Sequence, residues 1–444
     1  MRVIIVGAGQ VGSTIAANLD ANHEVVVVDI DDDRVENLMY SYDVLAIEGN
    51  GAALPTLREA DVERADMVIA STDDDETNIV TCAAAKTVSD AFTVARVRGT
   101  THLDTWQEAG GAFGVDFMVS TDLLAAETVA RVIGLPAARD VDTFADGSVL
   151  MAEFSLPPES PLVDRTVAEV DRFDEVTLAA VLREHEVIIP KGATTLAAGD
   201  DLVAIGSPEG IRAFAGELTP DQQGEGKDVV VVGGSEVALQ TAVILEDRGL
   251  HPRLIERDPE RARELAERLP HTTVLSSDAT DREFLAREHI DEADVVVAAL
   301  DSDEKTLLAS LLADRIGVDR TIALVETAQY ATLFEAVGVD AAINPRDATA
   351  EEIIRFSREG QTENVAIIDD DRAEVLEIEV DAESVLADRP IRDSAADLPE
   401  SVTIGAITRD GRYVIPRGDT VIEVGDHVVL FVETRSIDAV AARV

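Results

Sequence analysis

Cysteine is almost absent. The 444-residue chain has one, Cys82, so neither an internal disulfide nor a cysteine-based metal cluster can form. That usage fits a reducing compartment. Cys82 sits among Ile79, Val80, Ala83 and Ala84, where a thiol serves as a small apolar side chain. Aromatic residues make up only 4% and tryptophan occurs once, so the cores rest on Val, Ile, Leu and Ala. Those residues suit strands covered on both faces. Lysine is nearly missing as well, with Lys86, Lys191, Lys227 and Lys305 its whole complement. Lys and Arg together number 37 against 88 acids, a net charge of −51. Nucleic acid needs a basic face, so it is excluded as a partner. The acids are spread along the chain rather than gathered, which reads as a surface suited to a very salty cytoplasm, where ions screen self-repulsion. Attraction of cations or of a basic partner is the competing reading. No apolar run approaches the ~18 residues of a membrane span. The chain enters a strand at residues 2–6 without the basic and apolar regions of a signal peptide. A role in transport would therefore be exercised through a separate membrane subunit.

What is present is a repeat. Residues 3–16 read VIIVGAGQVGSTIA and residues 229–242 read VVVVGGSEVALQTA, an offset of 226. DMVIASTDDDETN from Asp66 matches DVVVAALDSDEKT from Asp294, and Ile-Pro-Lys-Gly at 189–192 matches Ile-Pro-Arg-Gly at 415–418. Three collinear matches make the chain a duplication. Within the first copy, apolar runs at 2–6, 24–29, 44–48, 66–71, 92–97 and 116–119 alternate with helical stretches near 11–20, 34–41, 77–88, 102–110 and 122–133. This alternation predicts βαβ units and a doubly wound parallel sheet. Residues beyond 139 differ: strand-like segments at 148–156, 176–182, 186–189 and 201–206 are parted by Pro- and Gly-containing turns, as in a small α+β lobe. The polar stretch 220–227 reads as a linker. The expected class is α/β, with two Rossmann-like sheet lobes, each followed by a small α+β lobe. The expected boundaries are 1–135, 139–222, 223–360 and 363–444.

Gly7-Ala8-Gly9-Gln10-Val11-Gly12 is a G-x-G-x-x-G turn between a strand and a helix. Gly7 permits the tight turn, Gly9 the approach of backbone to pyrophosphate, and Gly12 the close packing of helix on strand. The helix N-terminus offers free N–H groups to phosphate. Asp29 lies 22 residues beyond Gly7, at the end of the second strand, where a carboxylate takes ribose hydroxyls and repels a 2′-phosphate. This favours NAD+ or NADH over the phosphorylated form. ATP or ADP remains open, because Asp29 recognises a ribose and not a nicotinamide. Gly49-Asn50-Gly51, Thr72-Asp73 and Arg96 fall at the carboxyl ends of later strands, where such sheets gather ligands. Arg96 in an apolar strand either reaches phosphate as a charged fork or pairs with one of the many acids. The run Asp73–Glu76 lacks the spacing of an EF-hand and reads as the acidic start of a helix.

The second copy departs from this pattern. Gly233 and Gly234 remain, followed by Ser235, Glu236 and Val237, with Ala238 at the third glycine. Ser235 puts a Cβ where backbone would meet phosphate. Glu256 replaces Asp29, and Leu324 replaces Arg96. Weak nucleotide binding, another ligand, or none are the three readings. For catalysis, the seven histidines form no recognisable pair, and there is no G-x-S-x-G elbow or Walker loop. A sensor is favoured over a nicotinamide-dependent oxidoreductase, which stays as the alternative beside a nucleotide sensor for another channel.

These signatures (the opening MRVIIVGAGQVG, Asp29, Gly49–Gly51, Ser71–Asn78, Ala95–Val97 and the two Ile-Pro turns) resemble the TrkA family, whose lobes are of the regulator-of-K+-conductance type. The resemblance covers the whole chain. It implies a peripheral NAD-binding subunit of Trk potassium uptake on the inner face of the cell membrane. It also implies a homo-oligomeric ring, expected as a dimer of tandem chains, beneath a membrane pore subunit. By match, Gly7–Gly12, Asp29, Thr72-Asp73 and Arg96 would contact NAD(H), and ring shape would follow the nucleotide. The small lobes resemble family modules that pair with one another.

Overall fold

The computed structural model describes every residue except 20–22, 136, 171–172, 174, 184–185, 219–227, 358–363, 369–371, 400, 442 and 444. The linker expected at 220–227 therefore lies outside the described residues. The first lobe has strands β1 (Arg2–Val6), β2 (Glu24–Asp29), β3 (Leu45–Glu48), β4 (Met67–Ala70), β5 (Phe92–Val97) and β6 (Phe117–Ser120). Its helices are α1 (Gln10–Leu19), α2 (Asp32–Ser41), α3 (Leu54–Glu59), α4 (Asp75–Lys86), α5 (Thr100–Glu108) and α6 (Thr121–Ile133). The sheet is parallel in the order β3-β2-β1-β4-β5-β6. Val3–Val6 and Val25–Val28 are buried, because helices cover both faces. The order reverses between β1 and β4, which opens a crevice at their carboxyl ends.

The second lobe repeats this order over Val229–Val232, Arg253–Glu256, Thr273–Ser276, Val295–Ala298, Thr321–Leu324 and Ala341–Ile343. Each sheet lobe is followed by a five-stranded antiparallel sheet, so the expected α/β class with paired small lobes holds. Among the elements not expected from the sequence are helix α3, the helix Pro208–Leu218 of the first small lobe and that lobe's first strand. Helix α3 carries Pro55 in its first turn and has no side-chain cap. The first small sheet begins a strand earlier than expected, at Ala138–Phe144, and that strand pairs with Val149–Ser155. The two small sheets share one core, in which Phe144, Met151 and Ile205 of the first meet Val375, Val429 and Phe431 of the second. A Cβ at Gly405 would stand 2.5 Å from Ile205 Cδ1, which is why the second sheet carries glycine there.

The sheet lobes exchange their last helices. Helix α6 buries Ala125, Ala126, Val129 and Val132 in one cluster with Val229, Val231, Ala238 and Ala242 of the second lobe. In return, the second lobe's helix Pro345–Ser357 sends Ala350, Ile353 and Ile354 into the first-lobe core beside Val3, Ile5 and Ile15. Its last turn places the Phe356 ring against Phe117 and Phe92, with centroids 4.2 and 5.1 Å away. On the opposite side Arg320, almost fully buried, donates Nη1 to the carbonyls of Val132 (2.8 Å) and Leu135 (2.7 Å) and Nη2 to Ala138, at the end of α6.

An acidic cluster lies at the junction of the exchanged helix with the first small sheet. Arg355 pairs with Asp142 (3.2 Å) and Glu352 (3.4 Å), and Arg131 donates to the Val141 carbonyl (2.8 Å). Burial, with Asp142 adjacent, pushes the Asp140 carboxyl up to about 6. Burial and the charges of Asp140, Asp142 and Asp347 raise Glu351 well above the carboxylate range, against the pull of Arg355. The folded chain therefore holds protons that the unfolded chain has released. The stability they contribute is present below the ordinary carboxylate pKa and is lost as pH rises through the raised values, about 6 for Asp140. Urea unfolding at pH 5 and pH 7.5 should give Glu351→Gln a smaller difference between the two pH values than the unmodified chain. Equal differences would mean the cluster is ionised throughout.

Candidate functional site

The glycine turn is built by contacts that leave no room for a side chain at its first and third glycines. Gly7 has φ +108°, and a Cβ there would lie 2.9 Å from the Thr72 nitrogen. A Cβ on Gly12 would fall 1.8 Å from the Gly7 carbonyl oxygen. Gly9 is the open one, its nearest neighbour being an Arg34 guanidinium nitrogen at 3.7 Å. It precedes α1 and accepts the first helical hydrogen bond, from Ser13 N at 2.9 Å. The tight turn expected at Gly7 and the close helix–strand packing expected at Gly12 are seen, and Gly9 leaves open space beside the turn.

Asp29 is 8% exposed. Its Oδ2 accepts from Ala8 N (2.5 Å) and its Oδ1 from Asp31 N (2.9 Å), so the carboxylate is oriented by the turn it faces. Each oxygen keeps a further lone pair for a hydroxyl donor. Gly49 N donates to the Asp29 carbonyl at 2.7 Å, and a Cβ on Gly51 would strike Val6 Cγ1 at 2.1 Å, which brings the 49–51 loop against β1. Asn50 spends its side-chain oxygen on Ala52 N, 2.9 Å away.

Arg96 is buried, with Nε donating to Thr121 Oγ1 (2.9 Å) and Nη1 to the Thr72 carbonyl (3.2 Å) and Asp73 Oδ1 (3.1 Å). Of the two readings of this arginine the pairing with an acid is seen, and the same side chain lines the cleft. Burial alone would raise the Asp73 carboxyl, but the hydrogen bond and charge of Arg96, with Arg346 and Arg34 behind it, hold it below the ordinary value. Asn78, fully buried, donates to the carbonyls of Thr72 (2.9 Å) and Arg96 (2.8 Å) and accepts from Thr72 N (2.9 Å). It fixes Thr72 and Arg96 relative to each other, a positioning role not assigned from the sequence. Asp74 caps α4 through Thr77 N (2.7 Å), as the acidic-start reading requires. Cys82 is buried, and burial pushes its thiol up to about 12, which suits a core residue.

Together these groups line a cavity of about 610 Å³, of a size for a small-molecule ligand. Gly7, Gly9, Gln10, Val11, Asp29, Gly49, Asn50, Thr72, Asp73 and Arg96 all face it. Ala8 and Gly12 shape the turn from behind. Arg34 and Arg346 also line it and were not expected. Arg346 comes from the second lobe, more than three hundred residues away, and no local motif marks it.

The second turn is arranged differently. Gly233 keeps the φ of +110°, but a Cβ on Gly234 would stand 2.5 Å from Glu256 Oε2, so the Glu256 side chain packs against the turn. Glu256 Oε1 accepts from Asp258 N at 2.6 Å. Arg261 donates to the Gly234 carbonyl at 2.8 Å and lies 3.8 Å from Glu236. The Ser235 hydroxyl accepts from Ala238 N at 3.2 Å and caps the helix. Ser235, Glu236 and Val237 line another cavity, of about 510 Å³, with Arg98 and Asp122 of the first lobe and Leu324 of the second. Gly233, Gly234 and Glu256 are not in its wall.

A doubly wound sheet with a glycine turn and an oriented carboxylate at its switch point, present twice and joined by exchanged helices, defines a tandem Rossmann-type module with small paired lobes. Family models place it further. The TrkA-N domain matches residues 3–121 and 229–345, and the TrkA-C domain matches 151–219 and 375–444. The chain is 36% identical over 440 residues to the Trk system potassium uptake protein TrkA homolog of Archaeoglobus fulgidus, covering 99% of each. It is 34% identical over 439 residues to TrkA homolog 1 of Methanosarcina mazei, covering 97% of each. The chain belongs to the TrkA family, whose members are regulatory, non-enzymatic subunits of potassium transport. Among solved structures it shares the fold of the GsuK channel bound to NAD, at 18% identity and a TM-score of 0.59 over 99% of this chain and 79% of that one. Among the described residues no helix is long and apolar enough to cross a membrane.

Proposed function

We propose that this protein senses NAD+ or NADH in its first lobe and thereby gates a Trk-type membrane transporter of potassium. The observation that carries the reading is Asp29, buried at the end of β2 and turned toward the glycine loop, in a cavity that also holds Arg96. A ribose diol donates to Asp29, and the pyrophosphate lies on the α1 N-terminus with Arg96 alongside. The structural likeness to a channel described as bound to NAD supports the same ligand. Gating requires the nucleotide to favour one arrangement of the lobes over another. In this reading the chain assembles with further copies of itself into a ring and acts from the cytoplasmic face through the membrane subunit.

The test is calorimetric titration at high salt with NADH, NAD+, NADPH and ATP. NADH or NAD+ should bind without turnover, NADPH should bind worse, and Asp29→Ala should lose about tenfold or more of the affinity. Preference for ATP or ADP would keep the regulatory role and change its signal. Binding unaffected by Asp29→Ala would remove the ribose role from this carboxylate.

A further inference from the structure

Arg346 stands in the first turn of the helix Pro345–Ser357, which belongs by sequence to the second lobe and by packing to the first. The start of its helix is tied to the glycine turn through side chains: Gln10 Nε2 donates to Asn344 Oδ1 (3.3 Å) and Asp347 Oδ1 (3.2 Å), the residues two before and one after Arg346. Further along the helix, Thr349 and Thr121 share a buried hydroxyl contact of 3.1 Å beside the Arg96 anchor. The guanidinium is steadied by the second lobe, with Nη1 on the Glu326 carbonyl (3.2 Å) and Nη2 3.7 Å from the Glu326 carboxylate. It is partly exposed and lines the 610 Å³ cavity together with Arg34 and Arg96. Three guanidinium groups thus line one cleft beside Asp29, Asp73 and Asp74, in a chain whose acids outnumber its Lys and Arg by 88 to 37, and one of the three comes from the other lobe.

The duplication supplies an internal comparison. The first lobe's exchanged helix α6 begins at Thr121, so its second residue, Asp122, is the counterpart of Arg346. Asp122 lines the second interlobe cavity beside Glu236 and Glu326. The same architectural position therefore presents a cation to the first turn and a carboxylate to the second. Leu324, the counterpart of Arg96, lies in that second wall too. The second wall carries Asp75, Asp122, Glu236 and Glu326 against Arg98 and Arg268, whereas the first balances Asp29, Asp73 and Asp74 with Arg34, Arg96 and Arg346, so phosphate meets the more favourable charge in the first cleft.

We propose that Arg346 is a phosphate-binding residue of the first-lobe nucleotide site, delivered by the second lobe, so that a bound nucleotide bridges the two lobes and each chain holds one nucleotide. This rests on the first cleft being a nucleotide site. A bond from Arg346 to phosphate competes with its hold on Glu326, so binding draws the start of the exchanged helix toward the glycine turn. That links the ligand to the relative placement of the lobes without any contact from the ligand to the small sheets.

The full chain is titrated with NADH and with ATP, unmodified and as Arg346→Gln and Arg346→Asp. Hydrogen exchange over 345–357 is followed with and without nucleotide. Arg346→Gln should weaken whichever nucleotide binds by about tenfold, since charge-assisted phosphate contacts are the strong ones. Arg346→Asp should weaken it further, and both should flatten the dependence of affinity on salt. The nucleotide should protect the helix in the unmodified chain and not in Arg346→Gln. The ion pair with Glu326 is partly exposed, so the unfolding midpoint should barely move and a folding defect is told apart from lost binding. Unmodified protein that binds while Arg346→Gln matches it in affinity, salt dependence and protection overturns the inference and leaves the nucleotide reading standing. Two nucleotides per chain overturns the exclusion of the second cleft. No binding by the unmodified protein removes the nucleotide reading, and the inference with it.

Discussion

Arg320→Met should cost about 2–4 kcal/mol of stability and separate the unfolding of the two sheet lobes into distinct steps. The guanidinium is 5% exposed and donates to three main-chain carbonyls at the carboxyl end of α6, those of Val132, Leu135 and Ala138. Burial depresses it to about 10, with Asp340 pulling the other way, so it stays charged at neutral pH. A cation at a helix C-terminus is favoured by the dipole as well as by the hydrogen bonds. Methionine fills similar volume and removes the cost of burying a charge, but it takes the charged donor from all three carbonyls and leaves those of Val132 and Leu135 only the weaker backbone bonds from Leu135 N (3.3 Å) and Ala138 N (3.2 Å), at the point where the chain leaves one lobe for the next. Denaturant unfolding followed by hydrogen exchange would resolve the lobes separately. A single transition at the unmodified midpoint would mean that those carbonyls find other partners at no cost.

Gly12→Ala should weaken nucleotide binding at least about a hundredfold and destabilise the first lobe by about 1–3 kcal/mol. The added Cβ would sit 1.8 Å from the Gly7 oxygen and 3.1 Å from Ser71 Oγ, and a backbone oxygen cannot turn aside as a side chain does. Helix α1 must move off the strand, taking the free N–H groups of its first turn out of line with phosphate. The second lobe carries a fully buried Ala238 at the matching place, so that helix and turn have settled at a spacing that admits a methyl group. Gly12→Ala in effect gives the first turn the second turn's packing without its compensations. Calorimetry with NADH checks the binding, and unchanged affinity would show that the turn can open without losing its geometry.

Local pattern made the parallel sheets readable. The runs at Val3–Val6 and Val25–Val28 are apolar because both faces are covered, and Gly7, Gly12 and Asp29 stand where turn geometry demands their residue types. Helix α3 escaped notice because it is short, uncapped and contains Pro55. The strand Ala138–Phe144 reads as polar because Asp140 and Asp142 belong to the cluster with Glu351 and Arg355, which lie far along the chain. The exchange of helices left no trace in periodicity, since an apolar stripe does not say which sheet it will cover. Arg346 was hidden for the same reason. Its counterpart Asp122 is found by place in the fold and not by sequence, since the helix starts TDLLAA and PRDATA share a single residue.

The exchanged helices also bear on how the two copies can diverge. On the proposed reading of one nucleotide per chain, a second lobe with Glu256 packed against its turn, Arg261 across it and no cation at position 324 is relieved of any need to hold that ligand. It cannot be discarded, because it closes the core of the first lobe with Ala350, Ile353 and Ile354 and receives α6 in return. Mutation can erode its cleft but not its frame. Such a chain is a heterodimer written as one polypeptide, with one half free to specialise in reading the signal and the other in holding the reader in shape.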